Sequence, residues 1–600
     1  MRSLGSRWRT LRIIRLCVEL QRGLTIAFFG CVVVAGLLPP AFTLATGALV
    51  TAVASKALAW RALAVAGALY VVQRLLAPIL QDLGNALARR VDAGLTERLM
   101  LTVSAPPGLA HVEDPASADA IAKVMGTLVE VSPGGAALRL GWVASQRIEC
   151  VGALLIVATW HAWAAIALVP VYVVTFAATR RHWHQATQVI YGRTDELRHS
   201  YYLRKLALTP GLAKETRVFG LAPWLVERYR TGWLAVMRDV WRKRGTGWIA
   251  ELGAFLLVAV AEGGLIAVVA TGAAAGELAV GRAVVIAGAI VSAGTIAFFH
   301  DLHWYIGAGG DSLAELEALQ RAEAVAGGVV GGAASADHLP RRAICFEGVR
   351  FSYPGRDQPV FAALDLEIEA GRSLAIVGDN GAGKTTLVKL LARLYDPDAG
   401  RITVDGVDLR ELAPRAWHRR IAAIFQDFAQ FELTAEDNVG FGALERQGDR
   451  AAVARAADQA GAGPIIARLA LGWQTPLSRQ FTGGTQLSGG EWQRLALARA
   501  LFAVQAGAGV LVLDEPTAAL DVRGEAEVYE RFLELTRGVT TLVISHRFST
   551  VRRADRIVVL EHGRVVEDGS HDELVAAGGR YARMYALQAA RFDDAGAGDA

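Results

Sequence analysis

Cysteine is scarce: four thiols in 600 residues, at Cys17, Cys31, Cys150 and Cys345. None is spaced as a metal ligand, and four scattered thiols need no disulfide partner in a reducing compartment, so they are read as small buried apolar residues. Charge is short as well. Charged residues make up 20% of the chain, and 62 basic against 58 acidic residues leave a net charge of only +4. That balance excludes a general nucleic-acid-binding surface.

What the chain has is apolar sequence, 53% of its residues, lying almost wholly before His300. The length requires more than one core, so a membrane half followed by a soluble half is the simplest reading. A hydrocarbon layer of about 30 Å needs roughly 20 helical residues. On that rule six spans are predicted near 24–54, 57–80, 138–160, 163–180, 248–272 and 278–300. The uncharged stretch from Cys150 to Thr179 cannot hold two spans, so the third must begin earlier and take in Arg147 and Glu149. Arg2, Arg7, Arg9, Arg12, Arg15 and Arg22 precede the first run and place the N-terminus in the cytoplasm. The run from Leu24 to Ser55 is too long for a signal-peptide core and has no convincing cleavage site, so it is read as retained. The connections near Lys56, His161 and Gly276 are short, whereas Gln81 to Ala137 and Arg181 to Gly247 are long, charged and predicted as loops. Six crossings put both long loops and the C-terminal half on the cytoplasmic side.

These features divide the chain into a membrane domain over 1–320, a linker over 321–342 rich in Gly and Ala, a soluble domain over 343–588 and a disordered tail over 589–600. In the soluble domain, Gly378-Asp379-Asn380-Gly381-Ala382-Gly383-Lys384-Thr385 follows the apolar strand Ser373 to Val377 and precedes a helical run from Thr386. Strand, glycine loop and helix are the context of a phosphate-binding loop. Backbone N–H groups converge on the phosphates, Lys384 reaches the β and γ phosphates, and Thr385 offers a hydroxyl to Mg²⁺. Val510 to Asp514-Glu515 is a buried strand ending in two carboxylates: Asp514 to hold Mg²⁺ through water, Glu515 to polarise the attacking water.

With Leu487-Ser488-Gly489-Gly490-Glu491 added, the sequence resembles the ATP-binding cassette family, whose signature this is. The resemblance implies that Ser488, Gly489 and Gly490 close over the γ-phosphate held by an opposite cassette, so that two chains pair head to tail around two ATP molecules. It also implies that Tyr353 stacks on adenine, Thr386 joins the phosphate loop, Gln426 contacts Mg²⁺ and senses the membrane domain, Asp521 communicates across the dimer, and His546 contacts the γ-phosphate. The membrane half looks like the exporter type of this family. His111-Val-Glu-Asp-Pro115 and Lys214-Glu-Thr-Arg-Val-Phe-Gly220 lie where such exporters place coupling helices. The segment from Phe425-Gln-Asp-Phe428 to Asn438-Val-Gly440 is similar to a subgroup exporting lantibiotic-like peptides.

Some positions depart from the pattern. Thr482-Gly-Gly-Thr-Gln486 stands where many exporters have Gly-Glu-Arg-Gly, and Glu491 replaces the commoner glutamine, a swap expected to be tolerated. About 23 residues precede the first span, so no N-terminal cysteine peptidase domain is expected. Arg74, Arg147, Glu149, Glu251 and Glu262 fall in or near spans, where an ionisable group needs a partner or an aqueous cavity. Some are expected to line a substrate path, with Arg74 opposite Glu149, or to form structural ion pairs.

The expected fold is therefore an all-α polytopic membrane domain followed by an α/β phosphate-loop ATPase domain. The expected function is a homodimeric, ATP-hydrolysing exporter of a peptide-like or amphipathic substrate, with ATP and Mg²⁺ as cofactors and the lipid bilayer as its setting. The alternatives are a lipid or drug flippase, an importer on the exporter fold, and a soluble ATPase of nucleic-acid or translation machinery, which the six spans oppose.

Overall fold

The computed structural model describes residues 2–56, 59–125, 131–297, 301–326, 329, 331–356, 358–515, 532, 534–545 and 547–596. The chain divides into two compact units, Met1–Val103 with Asp114–Ala324, and Ser104–Glu113 with Val325–Ala600.

The first unit is helical, and among the described residues six helices are long and apolar enough to cross a membrane: Thr10–Ala54, Trp60–Ser104, Pro133–Ala158, Ala162–Trp183, Trp248–Ala274 and Val280–Arg321. Each overlaps one expected span, but the first, second and sixth run well beyond it, and the third begins early enough to carry Arg147 and Glu149. Side chains such as Ile166 and Val260 are 69% and 72% exposed, which suits lipid and not water. The first and sixth spans approach closely because small residues meet there: a Cβ on Gly281 would lie 1.9 Å from Thr51 Oγ1.

Among the described residues the two long connections are largely helical: Trp60–Ser104, Ala110–Glu113, Pro115–Val124 and Pro133–Ala158 on one side, and Ala162–Gly192, Thr194–Leu208, Ala213–Val218 and Ala222–Ala274 on the other. The reason is visible in the burial pattern, where Leu80, Gly84, Leu87, Val91, Leu95 and Leu99 form a buried stripe at three- and four-residue steps. Arg89, Arg90, Glu97 and Arg98 interrupt the hydropathy between those positions, so a membrane-length criterion ends the helix too soon.

Arg74 and Glu149 do not pair. Arg74 is exposed and donates to Tyr70 Oη at 3.2 Å, while Glu149 accepts from Ser292 Oγ at 2.6 Å. Glu262 accepts from Tyr172 Oη at 2.9 Å, and Glu251 lies 3.7 Å from His182. Neutral hydroxyls therefore satisfy Glu149 and Glu262, which suits a medium where a full ion pair must desolvate two charges.

The second unit holds two sheets built from β1 (Ala343–Phe351), β2 (Phe361–Glu369), β3 (Ser373–Val377), β4 (Ala399–Val404), β5 (Val407–Asp408), β6 (Ile421–Ile424), β7 (Val510–Asp514), β8 (Thr540–Ile544), β9 (Arg556–Glu561) and β10 (Arg564–Gly569). The smaller sheet has the order β2-β1-β4-β5 and the larger β10-β9-β3-β8-β7-β6. In the larger one, β9, β3, β8, β7 and β6 run parallel. It is covered on both faces: Ala375, Val377, Leu511, Leu513 and Val543 enter one core, and Leu374, Ile376, Val510, Val512 and Leu542 the other. This is why these strands read as unbroken apolar runs. Register places Ile376 beside Ile544, and Ile544 beside Asp514, so β3, β7 and β8 end on one line.

The boundaries differ from those expected. The helix Asp301–Ala326 runs into the segment read as a linker, and the helix Arg580–Gly596 runs into the segment read as a disordered tail. Leu587, Gln588, Ala589 and Ala590 favour helix, and the acidic residues beyond them do not override that propensity. Residues 597–600 lie outside the described residues.

Candidate active site

The carboxyl ends of parallel strands are where an open α/β sheet offers a crevice. Immediately after β3 the chain enters the loop from Gly378 to Gly383, and the helix Lys384–Leu391 begins at its end. Gly383 has φ +105°, and a Cβ there would lie 2.7 Å from the Phe361 ring, so conformation and space both require glycine. Ala382 and Gly383 are buried, whereas Asp379, Asn380 and Gly381 are exposed at the mouth.

Lys384 is 8% exposed and folds back over the loop, donating from Nζ to Gly378 O at 2.8 Å and Asp379 O at 3.0 Å. Two of its three N–H groups thus hold the loop closed around the ammonium. Burial lowers its pKa, against the raising effect of Glu515, Asp514 and Asp379. Next to it, Thr385 is exposed, and its Oγ1 donates to Asp514 Oδ2 at 3.3 Å. Asp514 is 2% exposed, and burial raises its pKa despite the Thr385 bond and the nearby Lys384. A hydroxyl and a buried carboxylate converging on one point are hard oxygen donors of the kind Mg²⁺ takes, so these residues fit that ion.

Glu515 follows directly. Its φ of +47° is in the left-handed region, which a non-glycine residue rarely adopts, and its N–H donates to Ile544 O at 2.8 Å. Backbone held this way at a strand end points to a functional constraint. Gln426, two residues past β6 and exposed, stands at the edge of the same line of strand ends.

Tyr353 is half-buried beyond β1. Its hydroxyl lies 3.1 Å from Thr386 Oγ1, and its ring meets Phe351 and Tyr395 edge-on at 5.1 and 5.5 Å, with Lys389 Nζ 5.1 Å from the ring centre. The expected stacking residue is thus tied to the helix that follows the phosphate loop. Tyr395 and Lys389 were not anticipated; Lys389 shares a helix with Thr386 three residues away, which could have drawn attention to it. Both bond to Glu113, Lys389 at 3.2 Å to Oε1 and the Tyr395 hydroxyl to Oε2. Desolvation raises the Glu113 pKa, but these two bonds and the Lys389 charge outweigh it and lower the pKa overall.

Ser488 caps the helix Gly489–Gln505 through a reciprocal box: Ser488 N–H donates to Glu491 Oε2 at 2.9 Å, and Glu491 N–H donates to Ser488 Oγ at 3.4 Å. Glu491 also accepts from Arg468 at 2.7 Å. The glutamate at this position therefore has a structural role, and the bond from the Ser488 backbone holds its pKa below the usual range. Ser488 and Gly489 are exposed. Asp521 and His546 lie outside the described residues.

Comparison with known proteins agrees with this arrangement. Residues 361–518 match the family described as ABC transporter. An ATP-dependent lipid A-core flippase of Thiobacillus denitrificans is 42% identical over 251 residues, 42% of each chain. A multidrug efflux ATP-binding/permease protein of Mycobacterium bovis is 43% identical over 246 residues, 41% of this chain and 20% of that one. The match thus spans about two fifths or less of the length of these curated relatives. The solved structure of a bacterial Atm1-family ABC exporter with ATP bound superposes with a TM-score of 0.73 and 25% identity, over 95% of this chain and 99% of that one. The fold of the whole chain is therefore that of an exporter with a fused helical domain and nucleotide-binding domain.

Proposed function

We propose that this chain, which belongs to the ABC transporter family through its C-terminal unit, is an exporter half-transporter that hydrolyses ATP between two copies and moves an amphipathic substrate across a membrane. The observation that carries the reading is the convergence at the ends of β3 and β7, where Thr385 Oγ1 and Asp514 Oδ2 lie 3.3 Å apart beside Lys384 and Glu515. Lys384 binds the β and γ phosphates, Thr385 and Asp514 with Gln426 hold Mg²⁺, and Glu515 accepts a proton from the attacking water. The metal, when bound, neutralises charge on the phosphates. Tyr353 stacks on the base, and Ser488, Gly489 and Gly490 of a second copy close the site. His546 and Asp521 keep the roles their motifs imply. The arginines before the first span support a cytoplasmic N-terminus and nucleotide-binding unit.

Transport requires ATP to favour one global state over another, by several kcal/mol for a nearly complete shift. For the cargo, the names of the relatives favour a lipid or a drug-like amphiphile over a peptide. That Glu149 and Glu262 are half-buried and bonded only to hydroxyls among the described residues supports assigning them to its path. ATPase stimulation in proteoliposomes by a panel of lipids, drugs and peptides tests this. Lipids or amphipathic drugs are expected to stimulate, and Glu149→Ala or Glu262→Ala to alter that response. Unchanged stimulation in correctly folded variants removes both residues from the path, and stimulation by peptides alone restores the peptide reading.

A further inference from the structure

The phosphate loop carries a carboxylate that its task does not call for. Asp379 follows Gly378 directly, its side chain 67% exposed at the mouth of a loop that gathers anions. Its backbone carbonyl accepts from Lys384 Nζ at 3.0 Å, while its Oδ2 bonds to Arg580 Nη2, 201 residues away. One residue thus joins the phosphate-binding lysine to the C-terminal helix.

Arg580 is delivered there by a fixed helix start. Its backbone N–H bonds to Glu567 Oε1, and that of Tyr581 to Glu567 Oε2 at 2.8 Å, so one carboxylate takes two of the unsatisfied donors of the first turn. The Tyr581 ring is fully buried, with its hydroxyl 2.8 Å from His571 Nδ1. The guanidinium also bonds through Nη1 to Glu561 Oε1 at 2.6 Å, at the end of β9, the parallel neighbour of β3. It therefore lies between two carboxylates at the edge of the phosphate loop, its own side chain 28% exposed.

We propose that Arg580 is a positioning residue for nucleotide binding: it masks the Asp379 carboxylate and holds the phosphate loop in the shape that accepts a triphosphate. The proposal rests on the reading of residues 378–385 as the phosphate site. With Arg580 present the trio Arg580, Asp379 and Glu561 carries one net negative charge, and without it two. The Asp379 carboxylate then stands unmasked at the mouth of the loop. Because the Asp379 side chain is largely exposed, solvent screens the effect and keeps it modest.

The test is steady-state ATPase kinetics of the full-length protein in proteoliposomes. Arg580→Gln is expected to raise KM for MgATP about fivefold while changing kcat less than about twofold, with a smaller rise at high salt. Arg580→Lys retains most of the wild-type KM. Adding Asp379→Asn to Arg580→Gln returns KM to within about twofold of wild type, because the unmasked charge is gone. An unchanged KM in Arg580→Gln overturns the proposal. So does a raised KM that Asp379→Asn fails to restore, since that assigns Arg580 to anchoring the helix alone. Retained ATP binding in Lys384→Ala would instead overturn the underlying assignment of the phosphate loop.

Discussion

Glu515→Gln is expected to lower the rate of ATP hydrolysis about 10²- to 10³-fold while leaving ATP bound. The swap keeps the size and shape of the side chain and removes its ability to accept a proton. Glu515 is suited to that role by position: Asp514, buried beside Thr385, is a proposed metal donor, and the next residue leaves the strand in a left-handed conformation with its N–H bonded to Ile544 O at 2.8 Å. Glutamine meets the same backbone constraint, so folding is preserved and the loss reads chemistry. ATP binding by filter retention and phosphate release in single turnover separate the two. A variant that binds and hydrolyses at the normal rate removes Glu515 from the mechanism.

Gly489→Asp is expected to cause a comparable loss of hydrolysis, with nucleotide binding to the substituted chain retained. Gly489 opens the helix Gly489–Gln505 and is exposed, and Ser488 makes its bonds within its own cap. An aspartate in the first helical turn interacts favourably with the macrodipole, so thermal stability is expected to hold or rise. The same carboxylate, presented to the γ-phosphate held by a facing copy, repels it. Activity and stability therefore move in different directions, which a folding defect does not produce. Normal hydrolysis in this variant means that the signature does not approach a phosphate.

The parts legible in the sequence are those that chemistry compresses into contiguous residues. Phosphate binding needs a strand, a glycine loop and a helix start in succession, so residues 373–386 announce themselves. The bilayer demands uninterrupted apolar length, so the six spans were found, but their helical extensions were not. Beyond the membrane a helix needs only a stripe such as Leu87, Val91, Leu95 and Leu99, which charged neighbours conceal. Contacts between distant segments left no local trace. Arg580 reaches Asp379 across 201 residues, and Tyr395 and Lys389 gather around Tyr353 because the sheet and the loop helix bring them there. Pairing Arg74 with Glu149 failed for a different reason. Hydropathy gives depth, whereas partner choice depends on which helix faces face each other, and the partners at hand are the hydroxyls of Tyr70 for Arg74 and Ser292 for Glu149.

On the proposed function, nucleotide is enclosed between the phosphate loop of one copy and the signature of another. Cross-linking tests this, with Asn380→Cys and Ser488→Cys placed together in one chain at two exposed positions and, as controls, each substitution alone and the unsubstituted chain with its four native thiols. With ATP present, a short thiol cross-linker is expected to convert most of the protein to a band of twice the monomer mass, and adding Lys384→Ala is expected to abolish that conversion. Efficient ATP hydrolysis by a protein that stays monomeric and gives no double-mass band would mean that nucleotide is not enclosed between two copies.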